Sequence, residues 1–404
     1  MTVYYSMAAF FCLGSVFWTD HEGLSQNHKK KAQEIFLILS AAVFIIVATC
    51  RYGVGFDYFN YKNLYEELGP LTVQEIFQNP VAKKFIGYSL FMRLCELCGL
   101  GYHGMLFIIN LLLTAVTFWF ITKYSPLPWL SVYLYLVLQF FAHSMNLLRQ
   151  SIAAAICLLA YPFIKKRKIF PFIGLVLLAA SFHLSALAFL PFYWVLNWKV
   201  SGKKFLLLSA LIFPVYLFSN EAAQFITQYI FRSYAGYIGS RYWKPLGMRY
   251  IVFPAIYFGA VWLGRKRLLR EDKDNHIFIN SAFYTLVLYV FSTHHMLLER
   301  FSIFLFPYAM AVLPRLAATF LPDSRCNREG MKPSKDDFQF RELLPDAWAK
   351  KLWLPGKNPR TDKKLTTLVL VLMVVAGFGY LIFASVQGKH GFHKMYPYVS
   401  LFHH

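Results

Sequence analysis

Apolar runs of roughly 15–23 residues recur along nearly the whole chain, each close to the length a helix needs to cross a bilayer core. The runs are continuous rather than alternating, so they predict helices and not the strands of a closed barrel. We place twelve crossings, over residues 1–19, 33–50, 104–122, 127–143, 147–164, 169–182, 184–198, 205–219, 248–264, 277–295, 300–321 and 364–386. No basic leader or small-residue cleavage site marks the first run, so it is expected to stay as a span rather than be removed as a signal. Residues 84–100 are apolar enough for a thirteenth crossing. That would put Lys29–Lys31 and Lys165–Lys168 on opposite faces, so an interfacial or re-entrant helix is expected instead, with Arg93 and Glu96 facing polar surroundings.

Composition agrees with this pattern. Of 404 residues, 57% are hydrophobic and only 15% charged, against about 25% charged in a soluble domain. The expected fold class is all-α, a polytopic integral membrane protein with about twelve transmembrane helices. The net charge of +21 would raise nucleic acid as a partner for a soluble chain. Here Lys29–Lys31, Lys123, Lys165–Lys168, Lys199, Lys203, Lys204 and the run from Arg265 to Lys273 all fall in loops on one side. Positive charge in short loops marks the cytoplasmic face, so the excess is read as topology and no nucleic-acid partner is expected. Residues 1–321 then form a transmembrane core, the part expected to carry any catalytic site. Residues 322–363 form a charged cytoplasmic loop, and 364–404 the last span with an extracytoplasmic tail. Within the loop, residues 338–354 carry Trp348, Lys350, Lys351 and Trp353; they read either as a surface helix on anionic lipid or as a flexible linker. Cys95 and Cys98 form one C-x-x-C with no second ligand pair, so neither a metal nor a disulfide framework is expected.

The face that the loop-charge rule should deplete of positive charge holds the unusual residues. Arg51, Arg149, Arg232, Arg241, Arg249 and Arg300 fall outside or at outer helix ends. Each alone is explained by a side chain reaching the interface. As a group they recur beside polar or aromatic partners, and a guanidinium fork matches phosphate oxygens. The string from Arg51 to Tyr61 joins an arginine, two glycines, Asp57 and aromatics including Tyr58. Asp57 reads equally as a base or as the ion-pair partner of Arg51. Arg149 and Gln150 open a crossing, where a helix N-terminus is unfavourable for a cation. His183 lies at an outer tip, either as a general base or as a packing histidine. His294, His295, Glu299 and Arg300 cluster by position, with no clear third metal ligand. The aromatics of 220–247 suit sugar stacking or interfacial anchoring. Asp272 and Asp274 form a D-x-D in a short inner loop and are expected to be solvated.

The Arg51–Tyr61 string resembles the opening motif of the EpsG-like family of bacterial polysaccharide polymerases. So do Asn146, Arg149, Gln150 and Ala153; then Phe182, His183, Ser185 and Ala186; then Arg300 and Phe301; and finally Pro397 and Tyr398. The order covers most of the chain. The family often has Glu-Pro before the Gly-Tyr of the interfacial helix, where this chain has Phe85 and Ile86 before Gly87 and Tyr88. The resemblance implies a GT-C-like polymerase architecture in the bacterial cytoplasmic membrane and a Wzy-type glycosyl transfer without cofactor or metal. The substrates would be undecaprenyl-pyrophosphate-linked glycans, and the partners membrane lipid, a chain-length regulator and a flippase. On that reading Arg51, Arg149 and Arg300 clamp pyrophosphate and Gln150 orients a phosphate or sugar hydroxyl. Arg241 and Tyr58 join the substrate-binding set. The base is His183 or Asp57, with His183 preferred.

Three other functions make different demands on the sequence. A lipid-linked oligosaccharide flippase calls for midplane charges and repeated halves, whereas the charges here sit at span ends. A GT-C glycosyltransferase with a polyprenyl-linked sugar donor would use Asp57 as its first-loop acid. A membrane O-acyltransferase calls for an inner or deep histidine, and His183 maps outside.

Overall fold

The computed structural model describes residues 1–18, 26–199, 202–225, 228–229, 236, 239–240, 243–321, 359–386, 394–395 and 397–403. Arg232, Arg241, Phe231, Tyr234, Tyr237, Tyr242 and the expected surface helix at 338–354 lie outside the described residues. Among the described residues every regular element is helical, and β pairing is confined to an isolated antiparallel bridge between Arg51 and Ser400.

Among the described residues four helices are long and apolar enough to cross a membrane: Asn27–Thr49, Tyr102–Tyr124, Leu148–Lys165 and Thr366–Ser385. Leu298–Phe304 and Phe306–Ala318 meet at 43° and make a fifth if counted as one broken span. Other expected crossings are shorter apolar helices, among them Thr2–Phe17, Pro128–Val137, Ile169–Phe182 and Leu184–Val195. The interruptions have local causes. Gln139 takes a left-handed φ of 67° and separates Pro128–Val137 from Phe140–Asn146. Pro191 follows the 3-10 turn Leu184–Phe189 and cannot supply the N–H a continuous helix needs. The expected interfacial segment forms a helix over Ile86–Leu97. Its twelve residues rise about 18 Å, short of the roughly 30 Å hydrocarbon core. Arg93 donates to the Pro70 carbonyl at 3.2 Å, and Glu96 accepts from the Tyr65 hydroxyl at 2.9 Å.

Packing divides the molecule into a main core and a cap. In the core, the Phe44 ring lies 4.7 Å from Phe11, 4.8 Å from Phe141 and 4.9 Å from Tyr135. These offset and edge contacts are the favoured aromatic geometries. In the cap, Tyr58, Tyr61, Tyr65, Tyr88 and Tyr102 pack together over the start of the Tyr102–Tyr124 helix. Gly87 lets the cap approach closely: a Cβ there would meet Ser181 Cβ at 3.0 Å and the Ser181 carbonyl carbon at 3.1 Å.

The Tyr102–Tyr124 helix runs between two different rims. At its Tyr124 end, Lys165 Nζ lies 3.0 Å from Asp274 and 3.3 Å from Asp272, and Arg315 lies 3.9 Å from Asp272. Arg315 also donates to the Tyr124 carbonyl at 2.7 Å. The D-x-D expected as a solvated loop is therefore a knot of ion pairs joining three parts of the chain. At the Tyr102 end lie the Arg51 string and the cap. We keep the name outer rim for that end, after the orientation argued above.

Candidate functional site

The outer rim is built around a turn that needs glycine. Gly53 and Gly55 take φ of 65° and 101°, a region L side chains avoid. A Cβ on Gly55 would also sit 3.2 Å from the Met145 carbonyl. The turn thus presses onto the end of the Phe140–Asn146 helix, and the Asp57 amide donates to Asn146 Oδ1 at 3.2 Å. Arg51 lies beneath, 0% exposed. It donates to the Ala48 carbonyl and, at 3.1 Å, to the Met145 carbonyl. Asp57 instead accepts from Asn60 Nδ2 at 3.2 Å, so the ion pair weighed from sequence is not formed. Tyr58 is buried with its ring 5.9 Å from the Arg51 guanidinium and its hydroxyl 3.2 Å from His103 Nε2. Arg51 and Tyr58 therefore lie behind the surface of the turn.

The front of the rim gathers the other candidates. Arg149 begins its helix with its guanidinium 4.1 Å over the Phe85 ring and 5.9 Å from the Tyr61 ring. Its Nε is buried with no hydrogen-bond partner. Among the described residues no carboxylate forms an ion pair with Arg149 or Arg51. The Arg149 and Asp57 charges both act on the Tyr61 phenol. Gln150 is buried and donates to the Arg300 carbonyl at 2.8 Å, tying the Arg149 helix to the broken span. His183 feels the charges of both Arg149 and Arg300. Asp57, Arg149, Gln150, His183 and Arg300 are thus linked through neighbours, although they come from four separate segments.

His183 has a defined chemical state. It caps the Leu184–Phe189 turn, and its Nδ1 accepts from the Ser185 amide at 3.3 Å. The Ser185 hydroxyl lies 2.7 Å from the same nitrogen. A backbone N–H can only donate, so the neutral ring carries its proton on Nε2. Burial, then the Arg149 and Arg300 charges, push the imidazole down to about 3. Desolvation and like charge both disfavour the imidazolium. The ring is therefore a neutral hydrogen-bond donor at ordinary pH.

The residues grouped by position near 294–300 do not converge. His294 bonds Ser219, His295 lies under Trp243 with its Nδ1 3.1 Å from the Trp243 carbonyl, and Glu299 accepts from Tyr289 at 3.3 Å. Phe85, Tyr61 and Ser185 are supports that sequence reasoning did not single out for this work. Tyr61 had a signal, one helical turn beyond Asp57 on the same face. Phe85 had none beyond its departure from the family pattern.

The helices and this rim define a helical membrane protein with a cationic, histidine-bearing site where several spans end. The chain belongs to the EpsG family, whose model matches residues 34–327. It is on that basis a membrane protein of polysaccharide biosynthesis. No curated protein and no solved structure matches the chain.

Proposed function

We propose that this protein is a Wzy-type glycosyltransferase that polymerises undecaprenyl-pyrophosphate-linked oligosaccharide units at the outer face of the bacterial cytoplasmic membrane. The shorter helices complete a multi-pass body of about twelve crossings in a GT-C-like arrangement. The observation that carries the reading is Arg149, aromatic-flanked and without an ion-pair partner among the described residues, beside a neutral histidine and Arg300. Arg149 has no carboxylate paired with it among the described residues, and a diphosphate is the kind of anion its guanidinium fork suits.

In the reaction, a sugar hydroxyl of one lipid-linked chain attacks the anomeric carbon of another. The new glycosidic C–O bond forms as the bond to pyrophosphate breaks, and lipid diphosphate leaves with the electron pair. Arg149 and Arg300 stabilise charge that grows as that bond breaks, so they act more on the transition state than on the bound substrate. His183 donates from Nε2 to a phosphate or sugar oxygen. A ring already protonated at Nε2 is a poor acceptor, so Asp57 takes the hydroxyl proton, reversing the preference drawn from sequence. Arg51 acts from behind by fixing the Asp57 turn to Met145. Gln150 holds Arg300 in place rather than touching substrate. A flippase and a chain-length regulator act as partners before and after this step.

Proteoliposomes holding the purified protein and outward-facing lipid-linked units test the reading. A ladder of repeat units is expected. Single-sugar addition, or transfer of units across the bilayer without elongation, sinks it.

A further inference from the structure

The C-terminal tail reaches back across the whole chain to the Arg51 turn. The Tyr52 amide donates to the Val399 carbonyl at 2.9 Å, the Leu401 amide to the Cys50 carbonyl at 2.9 Å, and the Gly55 amide to the Lys394 carbonyl at 3.1 Å. The Tyr398 hydroxyl donates to the Val47 carbonyl at 2.9 Å. The Tyr398 ring meets Tyr4 edge-on at 6.2 Å, and the Tyr4 hydroxyl lies 3.9 Å from Met395 Sδ. These contacts enclose Arg51. Tyr4, Tyr58, Tyr102 and Tyr398 all lie close enough to act on its charge, and none of them is a carboxylate.

A guanidinium buried this way is costly unless its donors are met and its surroundings stay in place. The tail supplies one wall of that enclosure. The Ala48 and Met145 carbonyls supply the acceptors. Removing the tail admits water to Arg51, and Arg51 then has no reason to stay bonded to Met145. The Met145 contact is what seats the glycine turn against Asn146, where the Asp57 amide is held.

We propose that residues 394–395 and 397–403 are a fixed part of the site, a clasp in which Tyr398 is a positioning residue. It keeps Arg51 enclosed and so holds the Asp57 turn in register with Asn146. The assignment of work to Asp57 rests on the proposed function; the clasp itself does not. It also predicts an order of effect: losing the clasp slows the chemistry while binding of lipid diphosphate at Arg149 is kept.

Hydrogen exchange on the full-length protein tests the clasp directly. The amide to follow is that of Asp57, which bonds Asn146 and not the tail. Deleting residues 394–404 is expected to speed its exchange about tenfold or more, as local opening becomes easier. An unchanged rate overturns the proposal, whatever the protein polymerises. If the deletion does not accumulate, Tyr398→Phe decides. It removes one hydrogen bond, and about tenfold faster Asp57 exchange is the upper expectation. In the ladder assay, kcat should fall by a similar factor with KM for the lipid-linked unit unchanged. No change in either quantity overturns the clasp. Leu401→Cys, oxidised onto Cys50, asks whether the tail moves. Activity within about twofold of the reduced form supports a fixed clasp, whereas loss restored by reductant makes the tail a moving lid and overturns it. If the unmodified protein makes no ladder, the proposed function falls and the exchange rate alone still judges the clasp.

Discussion

The two rims of this protein treat positive charge in opposite ways. At the Tyr124 end, Lys165 and Arg315 meet Asp272 and Asp274 in a closed group of ion pairs. At the Tyr102 end, Arg51 is met by carbonyls and Arg149 by aromatic rings, and neither pairs with a carboxylate among the described residues. Charge that is internally neutralised ties segments together and offers little to a ligand. Charge held in place by neutral groups keeps its field for an incoming anion. The difference explains why both rims are basic in sequence yet only one is a candidate site.

The largest expected effect comes from removing the fork at the outer rim. Arg149→Lys keeps the charge but loses the planar geometry, and about a hundredfold loss in polymerisation is expected. Arg315→Lys at the other rim should leave the rate unchanged. Equal losses in the two variants would erase the contrast.

Acid stability gives the second test. The folded imidazole of His183 lies at about 3, below the unfolded value of about 6.5. Between these values the unfolded chain binds a proton that the folded one excludes. Stability from this group is thus intact above about pH 6.5 and falls as pH drops, by at most about 1.4 kcal/mol per pH unit. His183→Gln should flatten that slope in thermal melts taken from pH 7 to 4. A slope the same as the unmodified protein's would show that the ring is not held neutral.

Smaller effects sharpen the picture. Phe85→Leu removes a cation–π contact of about 0.5–2 kcal/mol, so about a twofold to thirtyfold loss in kcat/KM is expected, with Phe85→Tyr close to normal. Equal activity in Phe85→Leu would mean the ring only fills space. Lys165→Met breaks half-exposed pairs, and destabilisation of about 0–1 kcal/mol is expected with turnover unaffected. A turnover defect there would extend the active machinery to the second rim.

Much of this was legible in the residues. Apolar runs marked the helices, and Arg149, His183 and Arg300 stood out as polar groups at span ends. Helix continuity was not legible, because apolar composition is the same on both sides of a break such as Gln139 or Leu305. Burial was not legible either. Arg51 and Arg149 look alike in sequence, yet Arg51 is fully buried among backbone carbonyls and Arg149 is only partly buried, against the Phe85 ring. The tautomer of His183 depends on one amide two residues away, which a string of letters records without saying where it points.

The near-contact between Gly87 and Ser181 has a consequence for how this protein can change over time. Ser181 lies two positions before the imidazole, so the cap and the histidine share one hinge-free joint that a single hydrogen atom makes possible. A methyl group at that joint would lift the cap and tilt the ring together. The outward faces of the cap are therefore free to change, while the seam beneath it must stay as narrow as it is now.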